Sequence, residues 1–301
     1  MLVKIESTRD KPTQRLPEWL RKPVRNADAD HSLKKMLRTR GLHTVCEEAR
    51  CPNRTDCFSQ GAATFMILGD VCSRSCGFSS VKTGRGLPLD SLRDEPEQVA
   101  EAAAQLNLNY VVITSVNRDE LPDGGAVHFA RTIHAVRQRL PRAKIEVLTP
   151  DFKGNREALH AVLDAEPDTF NHNVETVPRL YSTVRPQADY QQSLDVLREA
   201  RRYSAEALTK SGFMVGLGER RDEVKLLLEH LRAHEVDVLT IGQYLQPTRA
   251  HLPVAEYVDT DVFEDYKAYG ERLGFRAVFS GPLVRSSFMA ETVNEKANAE
   301  R

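Results

Sequence analysis

Thr64-Phe-Met-Ile-Leu-Gly-Asp-Val-Cys-Ser-Arg-Ser-Cys-Gly-Phe-Ser79 runs a short apolar stretch directly into a pair of cysteines. The apolar part has the length of a buried strand, and the cysteines fall in the loop leaving its C-terminal end. Further strand-like runs follow at 110–115, 144–148, 168–173, 208–216, 236–242 and 276–280. Amphipathic stretches near 95–105, 126–139, 155–165, 193–203, 222–233 and 261–273 alternate with them, and Gly274 supplies a helix stop. Repeated β–α units of this size predict an α/β fold, with a parallel sheet and helices outside it. No Gly-x-Gly-x-x-Gly follows the first strand, which favours a partial (β/α)6 barrel of the TIM type over a dinucleotide-binding sheet. Barrel active sites lie on the loops after the strands, so the cysteine loop falls on the expected active face.

All five cysteines of the 301 residues lie between Cys46 and Cys76. They form two groups, Cys46-x4-Cys51-x5-Cys57 and Cys72-x3-Cys76, and Ser79 stands where the second group would have a third sulfur. Free cysteine is ordinarily a scattered, buried small hydrophobe, so this density points to metal or redox chemistry. Zinc prefers Cys-x2–4-Cys pairs with four ligands; His43 could complete such a set, but the intervals fit poorly. Iron–sulfur clusters, whose standard ligands are thiolates, fit better. Three thiolates can hold four irons and leave one iron open to another ligand.

The net charge of −1 gives no global case for nucleic acid. No run of 18 apolar residues is present, which predicts no membrane helix. The opening MLVKIESTRDKPTQR has no secretory h-region, and the expected location is the reducing cytoplasm. Residues 1–30, with Pro12, Pro17 and Pro23, read as an extended arm that Trp19 would staple to the barrel. The basic bias of the first forty residues suits either a solvated arm or a surface for an acidic partner.

The segment Val71-Cys-Ser-Arg-Ser-Cys-Gly-Phe-Ser79 resembles the Cys-x3-Cys-x-aromatic-Cys signature of radical S-adenosylmethionine (SAM) enzymes, with Phe78 as the aromatic member. More narrowly, the chain resembles the lipoyl synthase family over almost its whole length. The matching segments are 41–52 (GLHTVCEEARCP), 118–125 (RDELPDGG), 172–178 (HNVETVP), 209–219 (TKSGFMVGLGE) and 281–288 (GPLVRSSF).

The resemblance implies a sulfurtransferase with two [4Fe-4S] clusters and SAM. Cys46, Cys51 and Cys57, with Ser287 as a displaceable fourth ligand, would hold an auxiliary cluster consumed as sulfur donor. Cys72, Cys76 and Ser79 would hold the cluster that reduces SAM to a 5′-deoxyadenosyl radical. Sulfur would enter at C6 and C8 of an octanoyl chain carried on a lysine of a lipoyl carrier domain or glycine cleavage H protein. Flavodoxin or ferredoxin would supply electrons, and cluster assembly proteins would load the sites. Asn173 and Glu175 would meet the ribose or amino group of SAM, Gly216 and Gly218 its adenine side, and Lys210 its carboxylate. The implied division is an arm and cluster-binding extension over 1–62, a barrel over 63–280, and a C-terminal segment over 281–301 that covers the mouth with the serine ligand. Ser79 departs from the family pattern, since a neutral hydroxyl replaces a thiolate imperfectly. That departure keeps open a second reading, an impaired homologue that binds iron–sulfur or a carrier without radical activity. A biotin-type sulfur inserter would not account for the first cysteine group together with Arg285 and Ser287.

Overall fold

A computed structural model of the chain describes residues 15–21, 27–59, 63–287 and 289–299. Most of the expected N-terminal arm, and Phe288 of the C-terminal motif, lie outside the described residues.

Seven strands follow one another in a single parallel sheet: β1 (Thr64–Ile67), β2 (Tyr110–Ser115), β3 (Lys144–Leu148), β4 (Thr169–Asn171), β5 (Leu208–Val215), β6 (Val238–Gln243) and β7 (Ala277–Gly281). Strand order equals chain order, as in a singly wound barrel rather than a doubly wound sheet. One edge carries a two-residue antiparallel strand, His43–Thr44, and β7 forms the other edge. Among the described residues these edges do not pair, so the barrel is open.

Helices α1 (Glu95–Gln105), α2 (Ala126–Arg139), α3 (Arg156–Leu163), α4 (Tyr190–Tyr203), α5 (Arg221–Ala233), α6 (Thr260–Leu273) and α7 (Ala290–Ala299) follow the strands in turn. Local chemistry fixes their ends. Asn155 caps α3 by accepting from the Ala158 N–H at 3.1 Å, and Asp189 caps α4 by accepting from Gln192 at 2.7 Å. Gly274 ends α6 at φ +87°, a conformation that favours glycine.

Side chains alternate along each strand. One set, including Phe65, Ile113, Val147 and Phe170, joins the first helices in one apolar cluster, and Phe213, Val215, Leu239 and Ile241 join α5 and α6 in another. The other set lines the barrel in layers. At the strand starts, Leu208, Val238 and Ala277 pack on Val293 and Ala297 of α7, and the Asn294 amide donates to Thr169 Oγ1 at 3.0 Å. Above them lies a buried polar layer, in which Lys210 Nζ sits 2.9 and 3.1 Å from the two oxygens of Glu146. Tyr110 and Asn171 donate to the same carboxylate at 2.9 and 3.0 Å. The next layer up, with Leu148, Gly212 and Thr240, faces a cavity.

Two expectations are corrected. The C-terminal segment does not stay over the mouth: residues 282–287 run beside it, and α7 then fills the opposite end of the barrel. Trp19 is 44% exposed and is no staple.

Candidate active site

Three cavities adjoin: the first reaches down to the starts of β1 and β2, where Thr64 and Tyr110 wall it, and the other two open at the C-terminal ends of the strands. The first, of 280 Å³, is walled by Cys46, Cys51, Cys57, Arg285 and Ser287. Short helices present the thiols. Thr44 caps the turn Val45–Glu48 that carries Cys46, the Cys51 N–H donates to the Cys46 carbonyl at 3.1 Å, and Cys57 rides on Arg54–Ser59. Between them, the fully buried Asn53 donates to the Leu283 carbonyl at 2.7 Å and fastens the segment that bears Ser287. Burial, reinforced by Cys51, pushes the Cys46 thiol up to about 12. It therefore stays protonated near neutrality until a metal displaces the proton.

The second cavity, of 180 Å³, is walled by Cys72, Cys76, Phe78, Ser79, Asn173, Glu175 and Arg185, among others. Cys72 ends a short strand paired with Lys82–Thr83, and its sulfur accepts from the Arg74 N–H at 3.4 Å and from the Asn117 amide at 3.7 Å. The Ser79 hydroxyl accepts from the Val81 N–H at 3.4 Å. Burial raises Cys76 to about 11 against the pull of Arg185. Burial also raises Glu175, opposed by Arg185 and the Asn173 amide. Ser115 Oγ, Asn117 Oδ1, Thr149 Oγ1, His172 Nε2, Asn173 Oδ1 and Arg185 Nε are buried with no hydrogen-bond partner among the described residues. So many unsatisfied groups around one space form a receptor for a polar ligand.

The third cavity, of 340 Å³, lies between the other two. It shares Cys46, Cys51, Arg285 and Ser287 with the first, and Phe78, Ser79, Asn173 and Glu175 with the second.

The residues present fit the expected groups in one place fully and in another with a weaker donor. Three thiols and a hydroxyl surround the first cavity; two thiols and the Ser79 hydroxyl face the second. Among the described residues no three His, Cys, Asp or Glu side chains converge tightly enough for a single ion. His43, the candidate zinc ligand, faces Glu48 at 3.8 Å and does not line the thiol cavity.

Three expected cofactor contacts fall elsewhere. Lys210 is fully buried below the cavity, committed to Glu146, because a lysine within a barrel needs a carboxylate. Gly216 (φ +96°) and Gly218 (φ +107°) build a turn in which the Gly216 and Leu217 N–H groups donate to Glu219, and neither glycine lines any of these three cavities.

Two functional side chains escaped the sequence reading. Arg74, inside the Cys-x3-Cys loop, is buried and makes paired bonds of 2.7 to 2.9 Å with both Asp119 and Asp151, which ties the loop to the ends of β2 and β3. Its position between two motif cysteines was the available signal. Arg185 donates to the Asn173 carbonyl at 2.9 Å, and nothing in its local sequence marks it.

The sequence matches the radical SAM superfamily over residues 66–231 and the N-terminal domain of lipoyl synthase over residues 3–51. A lipoyl synthase of Rubrobacter xylanophilus is 56% identical over 281 residues, covering 93% of this chain and 87% of its own. One from Caldicellulosiruptor saccharolyticus is 52% identical, covering 91% and 96%. The chain belongs to the lipoyl synthase family.

Lipoyl synthases of this family are radical SAM enzymes, and the chain is a sulfur-inserting transferase with SAM and a [4Fe-4S] cluster as cofactors. A lipoyl carrier substrate and a reductant follow from the same membership. Solved structures carry the fold alone. A maturase of the [FeFe]-hydrogenase aligns with TM-score 0.55 at 14% identity over 92% of this chain and 61% of its own, and methylornithine synthase with 0.51 at 12% over 83% and 82%. No helix among the described residues is long and apolar enough to cross a membrane.

Proposed function

We propose that Cys46, Cys51, Cys57 and Ser287 hold an auxiliary [4Fe-4S] cluster, and that Cys72, Cys76 and Ser79 hold the radical SAM cluster. When bound, the second supplies hydrogen-atom abstraction through SAM, and the first supplies sulfur. Asn173, Glu175 and Arg185 receive the polar groups of SAM, and Phe78 walls the passage to the central cavity. The substrate is an octanoyl chain on a lysine of a lipoyl carrier domain or glycine cleavage H protein, converted at C6 and C8 to lipoyl-lysine. Flavodoxin or ferredoxin serves as donor, assembly proteins load the sites, and the reaction is cytoplasmic. In this reading residues 1–62 form the cluster-binding extension, 63–280 the barrel, and 281–301 the segment that delivers Ser287.

One observation carries this reading. Ser287, far from the early thiols in sequence, shares a cavity wall with all three of them, and that cavity borders the space beside Ser79. The protein's own groups then have defined work. Arg285 is half-buried and meets no carboxylate among the described residues; its Nη1 donates to the Val284 carbonyl at 2.7 Å, and Cys51 is the group that favours its charge. It offsets negative charge at the thiol site. The Ser287 hydroxyl, a poorer iron ligand than thiolate, can leave when sulfur is withdrawn.

Ser79 favours a second reading, a homologue impaired at the SAM cluster. The two are separated by anaerobic reconstitution of the wild type, Ser79→Cys and Ser287→Ala proteins, with iron, sulfide, 5′-deoxyadenosine and lipoyl product measured. Product from wild type supports the synthase outright. Product from Ser79→Cys alone identifies a chain silenced by one ligand. Full iron in Ser287→Ala with normal product would remove the assigned role of Ser287.

A further inference from the structure

The loop after β6, residues 244–258, touches both cysteine-bearing segments, and the three segments close a ring of hydrogen bonds beside the central cavity. The auxiliary segment meets the SAM loop where the Ser80 hydroxyl donates to the Glu48 carbonyl at 2.5 Å. The SAM loop meets the β6 loop through His251 Nε2, 2.8 Å from the Ser79 carbonyl. The β6 loop returns to the auxiliary segment, where Arg50 Nη1 donates to the Pro247 carbonyl at 3.3 Å.

The geometry points to His251 as a positioning residue, the pin through which the β6 loop sets the spacing of the two cysteine groups. The roles of its ring nitrogens are fixed by its partners. A carbonyl can only accept, so Nε2 carries the proton toward Ser79. Thr248 Oγ1, which accepts from the Ala250 N–H at 3.2 Å, then donates its own proton to His251 Nδ1 at 2.8 Å. The neighbouring contacts hold the same register. The Leu252 N–H donates to the Gly77 carbonyl at 2.9 Å, and the buried Tyr244 donates to the Leu252 carbonyl at 2.7 Å. Gly77 has no spare room there, because a Cβ on it would lie 2.7 Å from the Leu252 side chain.

A ring of this kind matters because the two centres act on one substrate chain. Hydrogen abstraction and sulfur delivery must reach the same carbon, and misplacement by about 1 Å costs about a hundredfold in rate. His251 touches neither cluster position directly; it acts through the backbone of residue 79. The functional part of this inference rests on the assignment of both cysteine groups given above, whereas the ring itself does not.

The test therefore has two arms. In the protein without clusters, hydrogen exchange is followed at amides 77–81 and 49–51. His251→Ala should raise exchange about fivefold in both segments, the effect of one lost hydrogen bond, and His251→Gln, which keeps a donor, should restore it. In reconstituted protein, wild type and with Ser79→Cys, the ratio of 5′-deoxyadenosine to lipoyl product should rise several-fold in His251→Ala and return in His251→Gln. Loss of fold alone would lower both products together and leave the ratio unmoved. Unchanged exchange at 49–51 in His251→Ala would overturn the ring, and raised exchange with an unchanged ratio would overturn the positioning role. Absence of lipoyl product in every protein would count against the cluster assignment, and the exchange arm would still decide the ring.

Discussion

The side-chain amide of Asn53 donates to the backbone carbonyl of Leu283 at 2.7 Å, joining positions 230 residues apart. Asn53 lies between Cys51 and Cys57, and Leu283 lies just ahead of Ser287. With α7 anchored in the far end of the barrel, this bond fixes where the serine hydroxyl stands relative to the thiols.

Asn53→Ala should therefore act on two levels. Losing this part-buried hydrogen bond costs ~1 kcal/mol of stability, readable by denaturant unfolding of the protein without clusters. After reconstitution, iron should be lost selectively from the site of the first cysteine group, as seen by comparison with a Cys72→Ala protein that retains only that site. Unaltered stability and iron would show that the segment bearing Ser287 is held by other contacts.

Lys210 tests a different point. Its ammonium belongs to Glu146 in the sealed layer beneath the cavity. Removing one member of a buried pair costs ~3–5 kcal/mol, whereas replacing both by apolar groups costs far less. Lys210→Met should thus destabilise strongly, and Lys210→Met with Glu146→Gln, which removes the stranded charge yet keeps an acceptor for Tyr110 and Asn171, should recover much of the loss. SAM affinity measured under folding conditions should not change. A stable Lys210→Met protein with weakened SAM binding would return this lysine to the cofactor site.

Much of this was legible in the chain. Parallel strands buried on both faces write apolar runs of strand length, so all seven were found to within a few residues, whereas the short helices that carry Cys46 and Cys57 were not read from the x4 and x5 intervals. What escaped was set by contacts between distant segments. Lysine on an inward-facing strand position looks the same whether it meets a ligand or Glu146, because the sequence does not give depth along the barrel. A glycine pair such as Gly216 and Gly218 reports a backbone need without saying whether a cofactor or a glutamine side chain causes it. Arg185 and His251 lie in loops without a pattern.

His172 gives the protein a pH dependence of calculable sign. Its Nδ1 is 2.9 Å from the Thr149 carbonyl, and burial with Arg185 and Arg74 nearby, against the opposing pull of Asp151, lowers it from 6.5 to about 4. The folded state keeps the ring neutral, while the unfolded chain takes a proton below 6.5. Stability is therefore full above 6.5 and falls as pH drops toward 4. Between pH 7 and pH 5 the contribution is ~2 kcal/mol. Asp151, held well below the usual carboxylate range by Arg74 despite its burial, acts only in more acidic solution. Urea unfolding of the protein without clusters at pH 7 and pH 5 should show a smaller difference in His172→Asn than in wild type. Equal differences would mean that the ring is protonated in the fold.

Gly216 separates a structural glycine from a cofactor contact. At φ +96° any side chain strains the backbone, and a Cβ would lie 2.1 Å from Gln243 Nε2 and 2.5 Å from the Glu256 carbonyl. That amide is no yielding neighbour: it donates to the Tyr244 and Glu256 carbonyls at 3.0 Å, and Gln243 Oε1 accepts from the Val258 N–H at 2.9 Å. Gly218, at φ +107°, has only Ala255 Cβ within reach, at 3.8 Å. Both alanine variants suffer the backbone strain, but Gly216→Ala adds overpacking of ~1–3 kcal/mol. Thermal or denaturant unfolding should rank Gly216→Ala clearly below Gly218→Ala, and Gly218→Ala should bind SAM as wild type does. The reverse order, or a SAM defect in Gly218→Ala at intact stability, would place the cofactor against this turn after all.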